Sequence, residues 1–517
     1  MILRRRPRFA RTILRASAIL VAAIVATISA SVGASAAAAP QIKIDNGINP
    51  GAFRFDTNHN AIDAHDGEIK QFGNTYYLYG TAYGCGYVRF QQPETPFCGF
   101  KVYSSTDLQT WRDRGTLFNS ATANWQARCS SSTLSCYRPH VLYNPVSRRY
   151  VLWINSYDVA GGYHVFTSPS PTGPFVERPL PQLSIDNGGD FDLYLDPSGV
   201  AYIAFTDPLG GYQLAVQQLS PDYLSGVGTA VIAGMTNVEA PSMFRRGNIY
   251  YMTASDPNCA YCAGTGTSYM TAPTPMGPWA ARSKISLDSC GGQPADVAEI
   301  QTARGKIYLY QSDRWNHANP NEALGLSYWE PLRFNPDGSI APLRCAGAYG
   351  IALNKGNPDR TLSGRIGAAD ASGVSWVCDI NDVKWRSQTI PVSKPSALRK
   401  VRFGAFQRGF PQPVLEASIY RANRRGQPVG TPLWSRQRAV TSWSPEQITF
   451  APHLRLRPAK YAFVLKSLTP GPGCLGTLRL LQSHGGPTQS FMSRDAAGHW
   501  QSAGKRNMFL DVTLRGR

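Results

Sequence analysis

One arrangement of polar and apolar positions recurs five times between residues 62 and 340. In each copy a polar residue opens an apolar, strand-like run, and an aromatic residue follows 11 or 12 positions later in a second such run. The five pairs are Asp66 and Tyr77, Arg138 and Tyr150, Asp190 and Tyr202, Glu239 and Tyr251, and Asp296 and Tyr308. Successive copies begin roughly 50 to 70 residues apart, the size of a four-stranded propeller blade. The repeat therefore predicts a five-bladed β-propeller.

Further segments extend the all-β prediction. Third strands with their turns are predicted in Lys101–Trp111, His164–Phe175 and Ser268–Trp279. The segment from Cys345 to Gly373 has the composition of a linker. Short alternating strands follow it in Leu398–Phe406, Leu415–Ala422, Glu446–Ala451 and Lys460–Leu468. They predict a jelly-roll-like β-sandwich, so we expect a propeller over residues 40–367 and a sandwich over residues 368–517.

The first 39 residues have the features of an export signal. Six arginines lie between Arg4 and Arg15, the Ala-rich stretch Ala16–Ala30 follows, and small residues before Pro40 offer cleavage sites. An uncleaved membrane anchor is the less favoured alternative, because this stretch is short for a spanning helix and rich in Ala and Ser. No later segment is apolar enough to span a bilayer. We therefore expect a signal peptide over residues 1–39 and a secreted mature protein without a transmembrane segment.

Cysteine usage agrees with export. All ten cysteines lie beyond residue 84, which suits an oxidising compartment. The predicted pairs are Cys85 with Cys98, Cys129 with Cys136, Cys259 with Cys262, Cys290 with Cys345, and Cys378 with Cys474. A redox or zinc site at Cys259 and Cys262 is the alternative. It would call for a second such motif or a His cluster at ligand spacing, and the sequence has neither.

The net charge of +19 is concentrated towards the end of the chain. From Asp370 to Arg517 there are 22 Lys and Arg against 7 Asp and Glu. Nucleic acid is the usual partner of so basic a region, but an exported protein does not meet it. We expect an anionic polysaccharide or the cell envelope as partner, and a merely solubilising charge is the simpler alternative.

Three acidic residues occupy the same place in separate repeats. The innermost strands of a propeller all run in one direction, so Asp66, Asp190 and Glu239 should meet at one mouth of the central channel. Asp192 lies on the same strand face as Asp190, and spacing alone does not choose between them. Three carboxylates around one mouth suit glycosidic bond hydrolysis with inversion, in which one activates water and a protonated one donates to the leaving oxygen. The third can raise the pKa of the acid.

The same segments resemble glycoside hydrolase family 43, a family of five-bladed propellers, over about residues 55–340. The similar stretches are "HDGEIKQFGNTYYLYGT" (65–81), "DFDLYLDPSGVAYI" (190–203) and "EAPSMFRRGNIYYM" (239–252). The resemblance implies that Asp66 is the general base, Asp190 the pKa modulator and Glu239 the general acid. Gly67 stands where the family usually has Pro.

Shorter motifs are similar to the branch of the family that contains exo-β-1,3-galactanases. They are "AHDGEI" (64–69), "RPHVLYN" (138–144), "GQPADVAEI" (292–300) and "SDRW" (312–315). Members of that branch resemble one another in lacking the first-strand Asp and in carrying an acid before the Arg-Pro. This chain keeps Asp66 and has Tyr137 before Arg138. The departure favours a standard base mechanism and arabinofuranosidase- or xylosidase-type exo activity.

Other polar and aromatic residues at strand starts are candidates for sugar binding. They are His65, Tyr83, Arg138, His140, Gln293, Arg314 and Trp315. Hydrogen bonds to sugar hydroxyls and stacking of Tyr83 or Trp315 on a sugar ring are the expected contacts. For each residue singly, an inter-blade hydrogen bond or ordinary packing is an equally open interpretation. No cofactor is expected. Some family members hold a structural Ca²⁺, but no ligand cluster in this sequence demands one.

The sequence thus predicts a secreted, inverting, exo-acting glycoside hydrolase. Its expected substrates are arabinose-, xylose- or galactose-containing polysaccharides or oligosaccharides. One alternative is an exo-β-1,3-galactanase-like enzyme, and another is a non-catalytic carbohydrate-binding or adhesion propeller. For the sandwich, polymer binding and a purely structural role are equally open.

Overall fold

Antiparallel β-strands form nearly all of the regular structure in the computed structural model of the chain. The structure describes residues 41–45, 54–89, 95–256, 264–302, 305–315, 321–346, 348–353, 374–481, 490–493, 499–502, 506–508 and 510–516. The expected signal peptide, the expected domain boundary at residues 367 and 368, and the cysteines at 259 and 262 lie outside these ranges.

The first part of the chain forms five separate sheets whose strands pair in sequence order. The first four sheets have four strands and the fifth has three. The strands are β2 (Ile69–Phe72), β3 (Thr75–Thr81), β4 (Phe100–Ser105) and β5 (Arg112–Thr116); β6 (Cys136–Asn144), β7 (Arg149–Ser156), β8 (Tyr163–Ser168) and β9 (Val176–Glu177); β10 (Phe191–Leu195), β11 (Ala201–Asp207), β12 (Gln213–Leu219) and β13 (Gly226–Ile232); β14 (Glu239–Arg246), β15 (Ile249–Ser255), β16 (Thr267–Ala272) and β17 (Ser283–Ser286); and β18 (Gln293–Thr302), β19 (Gly305–Arg314) and β20 (Leu326–Pro331). The five-bladed propeller predicted from the repeat is confirmed.

The repeat has a local cause in the hairpins that open the blades. In β2–β3 and in β14–β15 the strands are joined by the same two-residue Gly-Asn turn, and Gly73 and Gly247 both have a φ of 61°. Positive φ at the first turn residue matches the twist of the flanking strands and is easily adopted only by Gly. The predicted third strands are confirmed as β4, β8 and β16.

Short helical segments lie in two loops of the propeller. Helix α1 (Ala123–Cys129) connects β5 to β6, and the Thr122 hydroxyl caps it by accepting a hydrogen bond from the Trp125 N–H. A single 3₁₀ turn (Glu322–Leu324) precedes β20. Among the described residues, no helix has the length and apolar character needed to cross a membrane.

The predicted linker over residues 345–373 begins with regular structure, so this prediction is partly wrong. Cys345 is disulfide-bonded to Cys290, and β21 (Ala348–Ala352) pairs antiparallel with β1 (Gln41–Asp45). Because β1 is far from β21 in the sequence, no local turn or hairpin pattern predicts this pairing. Residues 354–373 lie outside the described ranges.

The second part of the chain folds into two larger sheets, as the sandwich prediction requires. The seven-stranded sheet holds β22 (Val374–Ile380), β24 (Ser396–Arg408), β27 (Glu446–Phe450), β28 (Leu454–Leu456), β30 (Cys474–Leu481), β33 (Arg506–Met508) and β34 (Asp511–Gly516). The six-stranded sheet holds β23 (Arg386–Val392), β25 (Val414–Ala422), β26 (Pro428–Ala439), β29 (Ala459–Ser467), β31 (Ser490–Ser493) and β32 (Trp500–Ser502). Alternate residues of both sheets, such as Phe403, Ile419 and Phe463, share one buried core.

Four of the predicted cysteine pairs are confirmed as disulfides: Cys85–Cys98, Cys129–Cys136, Cys290–Cys345 and Cys378–Cys474. The first three staple propeller loops, and the fourth joins β22 to β30 within the sandwich. Among the described residues there is no free cysteine.

We predict that the fifth pair, Cys259 with Cys262, is also oxidised in the mature protein. Peptide mapping under non-reducing conditions should then find no free thiol and one small cross-linked loop at these positions. Alkylation of both cysteines without prior reduction would contradict the pairing. The same map should recover the four structural disulfides as an internal control.

Candidate active site

Polar side chains from all five innermost strands meet in the channel in two layers. The upper layer is the mouth, formed by Asp66, Arg138, Asp190, Glu239 and Gln293 at the beginnings of these strands. The deeper layer consists of Glu68, His140, Asp192, Ser242 and Asp296. In the first three blades the two layers are two residues apart, as the strand period requires. In β14 and β18 a register shift makes the spacing three.

The deeper layer joins the blades by hydrogen bonds. Glu68 of the first blade accepts the Val141 N–H of the second. His140 Nδ1 lies 3.1 Å from Asp192 Oδ1, and Asp192 Oδ2 accepts the Met243 N–H of the fourth blade at 2.7 Å.

The deeper layer continues to the fifth blade, because Ser242 Oγ accepts the Val297 N–H at 2.9 Å. Between the last and first blades, Gln71 Oε1 accepts the Gln301 N–H at 2.9 Å in an exposed bond near the hairpin turns, outside the deeper layer.

Charges in the deeper layer nearly cancel. Burial alone would raise the pKa of Glu68, but the Lys70 and His140 cations outweigh it and hold that pKa below its usual value. Burial works against the charged form of His140, yet Glu68 and Asp192 raise its pKa to about 9. Burial, reinforced by Asp192 and Glu68, raises the pKa of Asp296 to about 7.

The deeper layer also contains donors of the type that bind metals. Ligand atoms of Glu68, His140 and Asp192 lie within 4.8 Å of one another. Lys70 Nζ, however, lies 2.9 Å from Glu68 Oε2 and hydrogen-bonds to it. An ammonium group competes directly with a divalent cation for this oxygen, so the donor set does not favour a resident metal.

At the mouth, Asp66 is held from four directions. Its Oδ1 accepts hydrogen bonds from the Thr81 hydroxyl at 2.7 Å and the Arg138 N–H at 3.3 Å. Its Oδ2 accepts the Tyr83 hydroxyl at 3.2 Å. Its own N–H donates to Asp313 Oδ2 at 2.7 Å. The carboxylate is therefore fixed in orientation.

The residue after Asp66 is Gly for a steric reason. A Cβ atom on Gly67 would lie 2.1 Å from the carbonyl oxygen of Tyr79 on the neighbouring strand. Backbone cannot yield to such a contact without displacing Asp66. The close approach of the Tyr79 carbonyl explains why this position holds Gly and not the proline that is usual in the family that the segment resembles.

Arg138 links the two aspartates of the mouth. Its Nε lies 2.9 Å from Asp190 Oδ1, and its guanidinium also donates to the carbonyls of Pro294 and Ala295. The guanidinium is buried, and such an ion pair is well screened from water. Asp190 is thereby held beside the mouth, whereas Asp192 belongs to the deeper layer.

Glu239 begins β14 and is held by one chain of side-chain hydrogen bonds. Gln293 Nε2 donates to Glu239 Oε2 at 3.1 Å, and Trp315 Nε1 donates to Gln293 Oε1 at 3.2 Å. Burial and the negative charge of Asp190 raise the pKa of Glu239 to about 8, despite the opposing charges of Arg138 and Arg89. Glu239 is therefore protonated at neutral pH.

Asp66 has a different environment from Glu239. Burial raises its pKa, but Arg89, Arg138 and the Thr81 hydroxyl all favour the ionised form and offset part of that shift. The mouth thus combines the hydrogen-bonded carboxyl group of Asp66, the carboxyl group of Glu239 with its pKa raised to about 8, and Asp190 beside Glu239. This arrangement can supply a base, an acid and a group that tunes the acid.

Several of the sequence-predicted sugar contacts lie elsewhere. Tyr83 is fully buried, so it has no ring face to offer a sugar, and its hydroxyl contacts Asp66 instead. His65 is buried beside Tyr83 and Trp315, with ring centroids 5.4 and 5.6 Å away. His140 belongs to the deeper layer.

Arg314 is the last residue of β19, and Trp315 comes directly after the strand. The electrostatic partners of Arg314 are Asp288 and Tyr328, because the strand period turns Asp313 rather than Arg314 towards the channel. Trp315 is mostly buried and reaches the mouth only through its bond to Gln293. Of the predicted residues, Tyr83, Arg138 and Gln293 hydrogen-bond or ion-pair directly with the acids of the mouth.

Sequence reasoning missed four contributors to the site. Asp313 contacts Asp66 and has a pKa raised to about 6, mainly by burial. Strand alternation from Gln311 could have found it. Glu68 and Lys70 could have been found by the same alternation from Asp66. Arg89, whose guanidinium lies 5.5 Å from the Trp315 ring centroid, comes from a loop and has no sequence signal.

Comparisons with known proteins agree with this geometry. The family model "Glycosyl hydrolases family 43" matches residues 60–271, a range that contains Asp66, Asp190 and Glu239. A β-D-galactofuranosidase (xynD) from Aspergillus niger is 28% identical over 315 residues, which is 58% of this chain and 85% of that protein.

Two solved structures share the fold at low sequence identity. An exo-β-1,3-galactanase from Phanerochaete chrysosporium, studied as a variant with β-1,3-galactotriose, matches with a TM-score of 0.51 and 17% identity over 84% of this chain and 99% of that one. A family 43 β-1,3-galactosidase matches with a TM-score of 0.50 and 21% identity over 59% of this chain. The chain spans 64% of that galactosidase, which is less than two thirds of its length.

We predict that the raised pKa of Glu239 depends on Asp190. In Asp190→Asn the pKa of Glu239 should fall below its value of about 8, because a neighbouring negative charge that opposes ionisation is gone. NMR titration of ¹³C-carboxyl-labelled glutamate measures it, with Glu239→Gln identifying the signal. Asp186→Asn, an exposed position in the same loop, is the matched control and should leave the titration unchanged. An unaltered pKa in Asp190→Asn would contradict the electrostatic account.

Proposed function

We propose that this protein, a glycoside hydrolase whose propeller belongs to glycosyl hydrolases family 43, is a secreted, inverting exo-glycosidase. The observation that carries the proposal is the pairing at one mouth of Glu239, protonated at neutral pH, with the hydrogen-bonded carboxylate of Asp66. Family membership disfavours the non-catalytic alternative. The four described disulfides support secretion, because they persist in oxidising compartments.

In the proposed mechanism Asp66 takes a proton from a water molecule as that water attacks the anomeric carbon. Glu239 donates its proton to the glycosidic oxygen as the bond to the leaving group breaks. Asp190 keeps Glu239 protonated until that step, and Arg138 holds Asp190 in place through their ion pair. Gln293 orients the acid through its bond to Glu239 Oε2.

The proposed substrates carry terminal galactose, arabinose or xylose residues. One relative, 28% identical and covered over 85% of its length, is a β-D-galactofuranosidase. A β-D-galactofuranosyl ring and an α-L-arabinofuranosyl ring have the same ring configuration and differ in the exocyclic group. The arabinofuranosidase-type preference predicted from the sequence is therefore compatible with this relative, and we place a terminal β-D-galactofuranosyl residue first among the candidates.

A panel of 4-nitrophenyl glycosides tests the proposal. It should contain β-D-galactofuranoside, α-L-arabinofuranoside, β-D-xylopyranoside and β-D-galactopyranoside, and β-1,3-galactan should be assayed beside it. We expect hydrolysis of a furanoside and release of monosaccharide alone from polymer. Release of longer oligosaccharides would contradict exo action, and hydrolysis of galactan alone would favour the galactanase-like alternative.

We predict different consequences for the two catalytic carboxyl groups. Asp66→Asn should lower kcat by about two to four orders of magnitude on every substrate, because an amide cannot accept the proton of water. Glu239→Gln should harm natural linkages much more than 4-nitrophenyl glycosides, whose leaving group scarcely needs a proton. The control is Asp186→Asn, which should retain full activity. Full activity in Asp66→Asn would show that another residue is the base.

We further propose that the sandwich binds an anionic polysaccharide through its cationic end. We define the cationic end as Arg421, Arg424, Arg425, Arg457 and Lys460, which are exposed around the β25–β26 turn and the start of β29. Lys460 Nζ hydrogen-bonds to the carbonyl of Arg424, which places it beside the turn.

The cationic end has no acidic partner among the described residues. Four of the described acids of the sandwich are paired elsewhere: Asp379 with Arg386, Glu416 with Lys466, Glu446 with Arg438, and Asp511 with Arg402. A patch of one charge sign raises the local concentration of a polymer of the opposite sign. This distribution supports binding in preference to a merely solubilising charge.

Retention on polygalacturonate measures this binding. It should weaken steeply between low and physiological salt, because screening shortens the reach of exposed charges. Arg424→Ala combined with Arg425→Ala should reduce affinity by roughly tenfold, since single surface contacts are individually weak. The matched control, Lys384→Ala with Arg408→Ala, removes two exposed cations from the opposite end and should bind normally. Equal loss in both variants would contradict a localised site.

A further inference from the structure

The loop between β26 and β27, residues 440–445, leaves the sandwich and packs against the propeller. We call it the Trp443 loop. The Trp443 N–H donates to the carbonyl of Gly84 at 2.8 Å, and Asn321 Nδ2 donates to the Trp443 carbonyl at 3.2 Å. The Ala61 N–H donates to the Pro445 carbonyl at 2.7 Å. These bonds tie three separate segments of the propeller to one loop of the sandwich.

The indole of Trp443 belongs to a propeller core rather than to the sandwich core. It is mostly buried in one cluster with Tyr83, Tyr87 and Trp315. A Cβ atom on Gly86 would lie 2.8 Å from the indole, so the ring rests directly on the backbone there. The turn from Tyr83 to Gly86 is thus supported by Trp443 from the sandwich side.

The propeller also holds this turn. Asp63 accepts the N–H groups of Tyr83 and Gly84, both at 2.8 Å. Removal of the indole would leave these hydrogen bonds and the Cys85–Cys98 disulfide but would take away the ring on which the Gly86 backbone rests. Because truncation of a buried aromatic side chain leaves a cavity, we expect the turn to relax into that space.

Both catalytic carboxyl groups depend on side chains of this cluster. The Tyr83 hydroxyl donates to Asp66 Oδ2 at 3.2 Å. Trp315 packs edge-on against Tyr83, with centroids 6.0 Å apart, and holds Gln293, which in turn bonds to Glu239. A displacement of Tyr83 would therefore disturb Asp66 directly, and Glu239 through Trp315 and Gln293.

We propose that Trp443 is a positioning residue of the active site, and that the sandwich is consequently a structural part of the catalytic unit and not only a binding module. The kinetic consequence rests on the proposed roles of Asp66 and Glu239. The contact between Trp443 and the turn does not, so the two can be tested separately.

Hydrogen–deuterium exchange of the full-length protein tests the contact without any substrate. In Trp443→Ala the backbone of residues 79–89 should exchange at least about tenfold faster, because its packing support is lost. Strands of the third blade should be unaffected. Trp385→Ala is the matched control, since that tryptophan packs within the sandwich against Trp500, and it should leave residues 79–89 unchanged. Unchanged exchange in Trp443→Ala would overturn the inference whatever the activity.

Steady-state kinetics test the positioning role. On the best glycoside of the panel, Trp443→Ala should lower kcat by about ten- to a hundredfold with a smaller change in KM, the usual cost of a misplaced catalytic group. Trp443→Phe should recover most of the loss. If Trp443 acts through Tyr83, its substitution should cost much less in a Tyr83→Phe background, because interacting residues are not additive.

The outcomes separate this inference from the proposed function. Inactivity of the wild-type protein on all glycosides would refute the proposed function, while the exchange measurement would still decide the contact. Faster exchange with unchanged kcat, or additive losses with Tyr83→Phe, would overturn the positioning role. If Trp443→Ala does not fold, Trp443→Phe carries the same test: its smaller loss of kcat must shrink in the Tyr83→Phe background, and an additive loss contradicts the proposal.

Discussion

The propeller depends on the ring of buried polar side chains that joins its innermost strands. Each blade is a separate sheet, and its edge groups would be left unpaired in the channel without partners from the next blade. Glu68, Asp192 and Ser242 accept backbone N–H groups of the following blades. The hydrogen bonds that join neighbouring blades therefore also pair the polar groups that line the channel. Lys70 and His140 balance the acids, which makes a fully buried charged layer tolerable.

The chemistry of the mouth follows from this scaffold. Strand alternation places the residues of the mouth directly above the hydrogen-bonded deeper layer. Arg138 forms an ion pair with Asp190, and Asp313 accepts the N–H of Asp66, so both aspartates are tied to the same scaffold. Two carboxyl groups in one site then acquire opposite roles through their neighbours. Glu239 is half-buried beside Asp190, and its pKa is raised to about 8. Asp66 is more deeply buried, and its pKa is also raised, but it accepts three hydrogen bonds and has Arg89 and Arg138 opposing that rise. These different neighbours are the basis on which we propose Glu239 as the acid and Asp66 as the base.

Sequence patterns predicted the blades and three carboxylates, because both follow from strand period and repeat spacing. Asp296 shows the limit: the repeat aligns it with Glu239, yet it lies in the deeper layer and Gln293 is at the mouth. The reason is that the β18–β19 hairpin continues two residues further beyond its register shift than the β14–β15 hairpin does. Tyr83 and His65 were predicted to face sugar but are buried, since the loop that carries Tyr83 packs under Trp443. Arg89 and the Trp443 loop reach the site from segments distant in sequence, and only tertiary packing brings them there.

The anomer of the first-formed product tests the central claim most directly. An ionised base that activates water opposite a protonated acid requires room for that water, with carboxyl groups roughly 6.5 to 9.5 Å apart in inverting enzymes. Proton NMR in the first minutes of hydrolysis of a β-linked substrate should therefore show the α anomer before mutarotation. Initial appearance of the β anomer would mean that a carboxylate attacks the sugar itself, and it would contradict the roles assigned to Asp66 and Glu239.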